Sequence, residues 1–362
     1  MAAVTKAEAF LVDLEVEQTR TDAVQAFLKQ ETVFVELTTA DGATGLGYSY
    51  TIGTGGSAVL ALLRDHLLPR LVGQDSRLVE GVWRDLFAST RATTVGAITS
   101  LALAAVDTAL WDLRCRRAGE PLWRVAGGFR PRIPLYDTEG GWLHLSTDEL
   151  VAGARKSAAA GWGGVKVKVG KPTAREDLER LTAVREAVGP RFDLMVDANQ
   201  SMTAAEAIRR ARAFEPVDLF WLEEPLPADD VSGHARLAAA TSIPVAVGES
   251  MYSLAQFRDY LHRGAASIVQ VDVARVGGIT PWLKVAHLAE AYHVEVCPHF
   301  LMELHVSLTA AIPNGRYVEY IPQLRAITTT EMTIEDGHAV APEAPGLGIA
   351  WDRNAMDDRR VA

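Results

Sequence analysis

Three carboxylates recur at equal spacing in this chain: Asp197 closes LMVD, Glu223 lies in WLEEP and Glu249 closes PVAVGE, each 26 residues after the last. Each follows a short apolar run of strand type, so an acid falls at the carboxyl end of three consecutive strands, where barrel enzymes gather their reactive groups. A single acid in such a place commonly caps the helix that follows. Three in register on one rim repel one another unless a cation lies between them, and all-oxygen ligation suits a hard ion such as Mg²⁺.

One strand earlier stands Val165-Lys166-Val167-Lys168-Val169. Alternation puts both lysines on one face and the valines on the other. In a barrel the valines pack under the helices, so the lysines point inward. Two ammonium groups this close lower each other's pKa, which makes a lysine a usable base near neutral pH. Asp272 in VQVDVARVGG and His299 in VCPHF close two later strands, one β/α unit apart. A carboxylate on one imidazole nitrogen fixes the tautomer and raises the basicity of the other, so the two read as an acid/base dyad. Glu319, in RYVEY, ends the last strand and can donate to a substrate oxygen if protonated.

The elements that must position these groups are legible as pattern. From Thr5 to Gly47 the chain reads as a β-meander with a turn at Asp41-Gly42; helical spacing follows over Ser57–Leu71, Leu78–Leu86 and Gly96–Arg117, the last stopping at Gly119. After Arg132 eight short apolar strands alternate with amphipathic helices: 132–137, 164–169, 193–197, 219–224, 244–249, 267–272, 294–299 and 316–320. Eight such units in a row predict a closed (β/α)8-type, TIM-like barrel rather than an open sheet. The fold class is therefore α/β, with an α+β capping domain over residues 1–130, the barrel over 131–330, and a tail, 331–362, returning to the capping domain.

Composition excludes other classes. With 48% apolar and 23% charged residues the chain is of ordinary globular type. Its net charge of −10, with no basic block, argues against nucleic-acid binding. No signal-like leader or membrane-length apolar run is present, and Cys115 and Cys297 stand far apart outside any CxxC pattern, so a cytoplasmic protein without disulfides is expected.

Together these residues resemble the mandelate racemase subgroup of the enolase superfamily: a KxK on the second barrel strand, metal carboxylates on the third to fifth, an Asp/His dyad on the sixth and seventh, and a Glu on the eighth. AAVDTALWDLRCRRAGEPLW, MVDANQ, WLEEPL, DVARVGGIT and CPHFLMELH are similar to its motifs. Within the subgroup the wording is nearer to acid-sugar dehydratases, notably those acting on galactarate and talarate. The resemblance implies Mg²⁺, removal of a proton α to a carboxylate by Lys168 or His299 with Lys166 assisting, and a homo-oligomer, dimer to octamer. It also implies that two cap loops, around Gln18–Lys29 and Tyr48–Gly56, close the barrel mouth. Candidate substrate contacts are Asn199, Tyr48, Tyr50, Trp142 and Arg20. Proton return from the other face gives a racemase or epimerase; loss of the C3 oxygen gives a dehydratase, or a cycloisomerase if that oxygen belongs to an anhydro ring. Because YSYTIGTGG carries no lysine or arginine, a second substrate carboxylate lacks its obvious partner there; Arg20 or Lys29 could still supply one. A monocarboxylic sugar acid is expected. The non-enzyme alternative is a sugar-acid-binding or structural paralogue, which would be expected to have lost a base or a ligand.

Overall fold

The computed structural model describes residues 2–362. Three antiparallel strands, β1 (Val4–Glu15), β2 (Lys29–Thr39) and β3 (Thr44–Thr51), form the first sheet in the order β1-β2-β3. One face of β3 lies directly on the helix Ala97–Ala118, and Gly47 permits it: a Cβ there would stand 2.2 Å from the Ala109 nitrogen. That helix is buried on nearly every side between the sheet and the helices of the barrel, which explains its almost uninterrupted run of apolar residues. Gly119 ends it in the left-handed conformation, φ 67°.

The barrel strands are β4 (Arg132–Asp137), β5 (Gly164–Lys168), β6 (Asp193–Asp197), β7 (Trp221–Glu223), β8 (Val245–Val247), β9 (Ile268–Val269), β10 (Glu295–Val296) and β11 (Val318–Tyr320). Neighbours pair in parallel from β4 through β10, β11 pairs with β4, and a parallel bridge between Val296 and Gly315 closes the ring. A (β/α)8-type barrel with an α+β cap is the observed architecture. Val165, Val167 and Val169 pack outward among the helices, whereas Tyr136, Met195, Trp221, Ala246, Ile268, Cys297 and Tyr317 form a separate apolar cluster. Side-chain caps start the intervening helices: Ser146, Thr173, Thr203 and Ser253 each accept a backbone N–H three residues on.

Two expectations change. Paired strand ends at Val247, Val269 and Val296, so Glu249, Asp272 and His299 sit two or three residues beyond the ladder. The rim backbone there has already turned toward the loops, with Gly248 at φ 154°. The tail does not run straight back to the cap. It first forms a hairpin, β12 (Ile334–Glu335) and β13 (His338–Val340), and β13 adds antiparallel to barrel strand β4. Only afterwards does it reach the cap, where Trp351 packs on Phe34 and Tyr48 and Leu347 N–H donates to Asp112. Cys115 and Cys297 are buried and free. Among the described residues no helix is long and apolar enough to cross a membrane.

Candidate active site

Carboxylate oxygens of Asp197, Glu223 and Glu249 lie within 4.8 Å of one another at the barrel mouth, all three side chains buried. Such a trio is electrostatically expensive. Burial, with the Asp197 charge next in weight, pushes the Glu223 carboxyl up to about 8. The donor set is three hard oxygens converging on one point, so the residues fit a divalent cation, which would remove that repulsion. Neighbours aim the ligands: Asn199 N–H donates to Asp197 Oδ1 at 2.8 Å, and Trp221 Nε1 and Gln270 Nε2 donate to Glu223 Oε2 at 3.0 and 2.6 Å.

The two lysines enter the same interior. Lys166 Nζ stands 2.8 Å from Glu223 Oε1 and 2.9 Å from Glu319 Oε1; Lys168 Nζ stands 2.5 Å from Asp197 Oδ2 and under the Trp142 ring. Here the expectation of a mutually depressed pair needs correcting. Burial is the largest influence on Lys168 and works against its charge, as Lys166 does, but Asp197, Glu249 and Glu223 together outweigh them, and its pKa is held above the usual lysine value. Lys166 is raised further still against burial, by Glu223 and Glu319. Engagement of the acids by a cation would take away that hold on the ammonium groups.

Opposite stands the dyad. His299 Nδ1 lies 2.9 Å from Asp272 Oδ2, and its Nε2 lies 3.3 Å from Glu249 Oε2, so the imidazole edge faces the carboxylate trio. Asp272 accepts from the backbone N–H groups of Ala274 and Arg275 at 2.8 and 3.0 Å and from the Tyr50 hydroxyl at 2.7 Å. Despite burial, the hydrogen bond and charge of His299, followed by the charges of Arg275 and His305, bring the Asp272 carboxyl down to about 2.

Glu319 accepts from Thr138 Oγ1 at 2.6 Å and Phe300 N–H at 2.7 Å, besides its pairing with Lys166. Burial is outweighed, chiefly by Lys166, and the group is held ionised well below the carboxylate range. As arranged it is an acceptor and not the proton donor that its strand-end position suggested.

Between bases and acids is a tight cavity of about 20 Å³ whose walls include Lys166, Lys168, Glu249, His299, Glu319, Asn199 and Trp142. From the cap come Asp22, Gln25, Phe27 and Ile52. Three of the proposed substrate contacts are elsewhere. Tyr48 and Tyr50 share a face of β3, but Tyr48, two residues nearer the tail, is packed against Phe34 and Trp351. Tyr50 lies behind the cavity wall, on Asp272 and the Phe300 ring. Arg20 is consumed by an ion pair with Glu139 and donates at 2.9 and 3.0 Å to Pro322 O and Gln323 Oε1. Lys29 pairs with Asp13 at 2.6 Å. Of the supposed loop Tyr48–Gly56, the part to Thr51 is paired strand.

Sequence reasoning missed Arg275 and Thr138. Arg275 lines the cavity, donates to Glu249 O at 3.1 Å and lies over the Tyr50 ring. Thr138 follows the last residue of β4, so the strand-end rule that found the acids could have found it. Arg275 had no such signal, because its side chain returns to the cavity from the turn after β9.

Residues 6–127 match the mandelate racemase/muconate lactonizing enzyme N-terminal domain, and residues 149–355 match the enolase C-terminal domain-like model. The chain is 37% identical to the L-talarate/galactarate dehydratase of Salmonella typhimurium, over 89% of this chain and 81% of that protein. It is 38% identical to the 3,6-anhydro-alpha-L-galactonate cycloisomerase of Streptomyces coelicolor, over 90% and 91%. The crystal structure of L-talarate dehydratase from Polaromonas, complexed with Mg and L-glucarate, superposes with a TM-score of 0.94 at 37% identity, covering 99% of this chain and 98% of that one.

Proposed function

The chain belongs to the mandelate racemase/muconate lactonizing enzyme family, with an enolase-type C-terminal domain, and on that premise we propose that it is a Mg²⁺-dependent enzyme that takes the α-proton from a sugar-acid carboxylate and then eliminates the C3 oxygen. The observation that carries this reading is the meeting of Lys168 and His299 in one cavity beside the Asp197, Glu223 and Glu249 trio. Held by those three acids, Mg²⁺ would act as a Lewis acid against the charge that builds on the substrate carboxylate. Lys166, buried between Glu223 and Glu319, donates to a carboxylate oxygen of the substrate. Lys168 removes the α-proton. His299, oriented by Asp272, protonates the departing C3 oxygen from the other side. With a hydroxyl leaving, the product is a 2-keto-3-deoxy acid; with an anhydro-ring oxygen leaving, the ring opens and the net change is a cycloisomerisation.

A monocarboxylic substrate, an aldonate or anhydro-aldonate, fits the cap side of the cavity better than an aldarate. That side presents Asp22, Gln25, Phe27 and Ile52; the nearby cations Arg20 and Lys29 are already paired, and Arg275 in the cavity wall is engaged by Glu249 at 3.5 Å and Asp272 at 4.0 Å. A second carboxylate would meet Asp22 and lose its hydration without a partner, a cost of about several kcal/mol that discriminates by orders of magnitude. The test is incubation with Mg²⁺ and a panel of aldonates, anhydro-aldonates and aldarates, with semicarbazide detection of keto acid. An aldarate as the best substrate overturns the monocarboxylate reading. Epimerisation with the C3 oxygen retained overturns elimination.

A further inference from the structure

Asp272 Oδ2 is shared by two donors from different parts of the molecule: His299 Nδ1 of the barrel at 2.9 Å and the Tyr50 hydroxyl of the cap at 2.7 Å. The rings are coupled as well. Tyr50 lies 4.6 Å from Phe300, and Phe300 stacks on the His299 imidazole at 5.3 Å and 14°. The Arg275 guanidinium lies over the Tyr50 ring at 5.8 Å, and the phenol is buried with its hydroxyl donated to Asp272. From the barrel, buried His305 braces the same corner: its Nδ1 lies 2.9 Å from Phe300 O, while its Nε2 accepts Val273 N–H at 3.2 Å. This brace holds together the loops that bear Asp272 and His299, at a point where Phe300 and Leu301 have positive φ, 59° and 28°.

We propose that Tyr50 is a positioning residue that ties closure of the cap to the acid half of the site: when β3 is seated on the barrel its hydroxyl holds Asp272, and with it His299, in the orientation that elimination requires. The proposal rests on the reading of His299 as general acid. Lys168 is held by contacts with Asp197 and Trp142 that do not pass through Tyr50. The two half-reactions should therefore respond differently to loss of the hydroxyl.

Tyr50→Phe keeps the ring stack and the Arg275 contact and removes one oxygen. General-acid assistance contributes about 10²–10⁴-fold, so partial loss of its orientation should slow elimination about 10- to 100-fold. Proton abstraction continues, and the intermediate returns to substrate. The Mg²⁺-loaded protein is followed in D₂O with galactarate, D-galactonate and 3,6-anhydro-L-galactonate as separate probes, comparing α-deuterium in recovered substrate with keto acid formed. The exchange-to-elimination ratio should rise about tenfold or more in Tyr50→Phe and at least as much in His299→Asn. A rise in His299→Asn alone overturns the Tyr50 proposal and leaves the parent reading standing. A rise in neither variant, or a wild-type protein that neither exchanges nor eliminates on any probe, overturns both. A second readout needs no turnover: in metal-free protein the downfield Nδ1–H proton resonance that His299→Asn abolishes should shift in Tyr50→Phe. An unmoved resonance, with the thermal midpoint unchanged, counts against the tether.

Discussion

Arg20→Met should open the active site without unfolding the barrel. Arg20 is on the cap loop between β1 and β2 and is only 4% exposed; it pairs with Glu139, which follows β4, and donates to Pro322 O and Gln323 Oε1, which follow β11. One side chain thus fastens the loop across the seam between the first and last barrel strands. Breaking a buried pair by removing one partner costs about 3–5 kcal/mol, because the other charge stays behind. Burial already holds the Glu139 carboxyl above its usual range, with Arg20 opposing it, so the acid left behind is poorly accommodated. The loss falls first on docking of the loop, whose other contacts with the barrel include no buried ion pair: Leu143 N–H on Thr21 O, Thr21 on His144, Gln18 on Glu139, Phe27 against the Trp142 and Phe300 rings, and Ala23 against Gly170, while Val24 and Leu28 are exposed. Three kcal/mol corresponds to about a hundredfold shift of an equilibrium between closed and open loop. Both kcat/KM on the best substrate of the panel and hydrogen-exchange protection of residues 18–28 should fall on that scale. The double variant Arg20→Met/Glu139→Gln should recover part of the loss, because no buried charge is left unpaired. If kcat/KM and protection in the single variant stay within threefold of wild type, or if the two substitutions simply add, the latch does not exist.

Asp197→Asn should abolish Mg²⁺-dependent turnover and weaken Mg²⁺ binding measured by calorimetry, with the circular dichroism of the barrel retained; full activity in that variant would exclude Asp197 as a ligand. Lys168→Ala should stop both keto-acid formation and α-deuterium exchange, and exchange at the wild-type rate would remove Lys168 from the role of base. Gly170→Ala should impair closure, since φ is +128° there and a Cβ would stand 2.7 Å from Ala23 Cβ; an unchanged KM would contradict that contact. Burial raises the Asp107 carboxyl to about 7, in a pocket where Thr280 N and Oγ1 donate to it. A carboxyl raised on folding favours the native state most below its unfolded value and loses that contribution as pH rises from there to the folded value, so wild type should lose stability relative to Asp107→Asn between about pH 4 and 7 and change little above it. A difference in thermal midpoint that does not move with pH would refute it.

The part of the molecule legible in the amino-acid sequence is the part governed by local period. Alternation in VKVKV and a β/α repeat with equally spaced acids are properties of short segments, and they carry both the barrel and the ring of Lys166, Lys168, Asp197, Glu223, Glu249, Asp272, His299 and Glu319 around its mouth. A parallel barrel leaves little freedom in where the end of each strand points. What only the tertiary structure decided depends on contacts between segments far apart in the chain, for which no local period exists. Arg20 and Tyr50 are the instructive cases: as residues of cap loops they read as substrate contacts, yet Arg20 found Glu139, 119 positions away, and Tyr50 found Asp272, 222 positions away. Arg275 entered the cavity from a turn that carries no strand register. The charge states were decided in the same manner. Lysine beside lysine suggests a lowered pKa, but the folded chain buries both against carboxylates, and at those distances the opposite charges outweigh the like one.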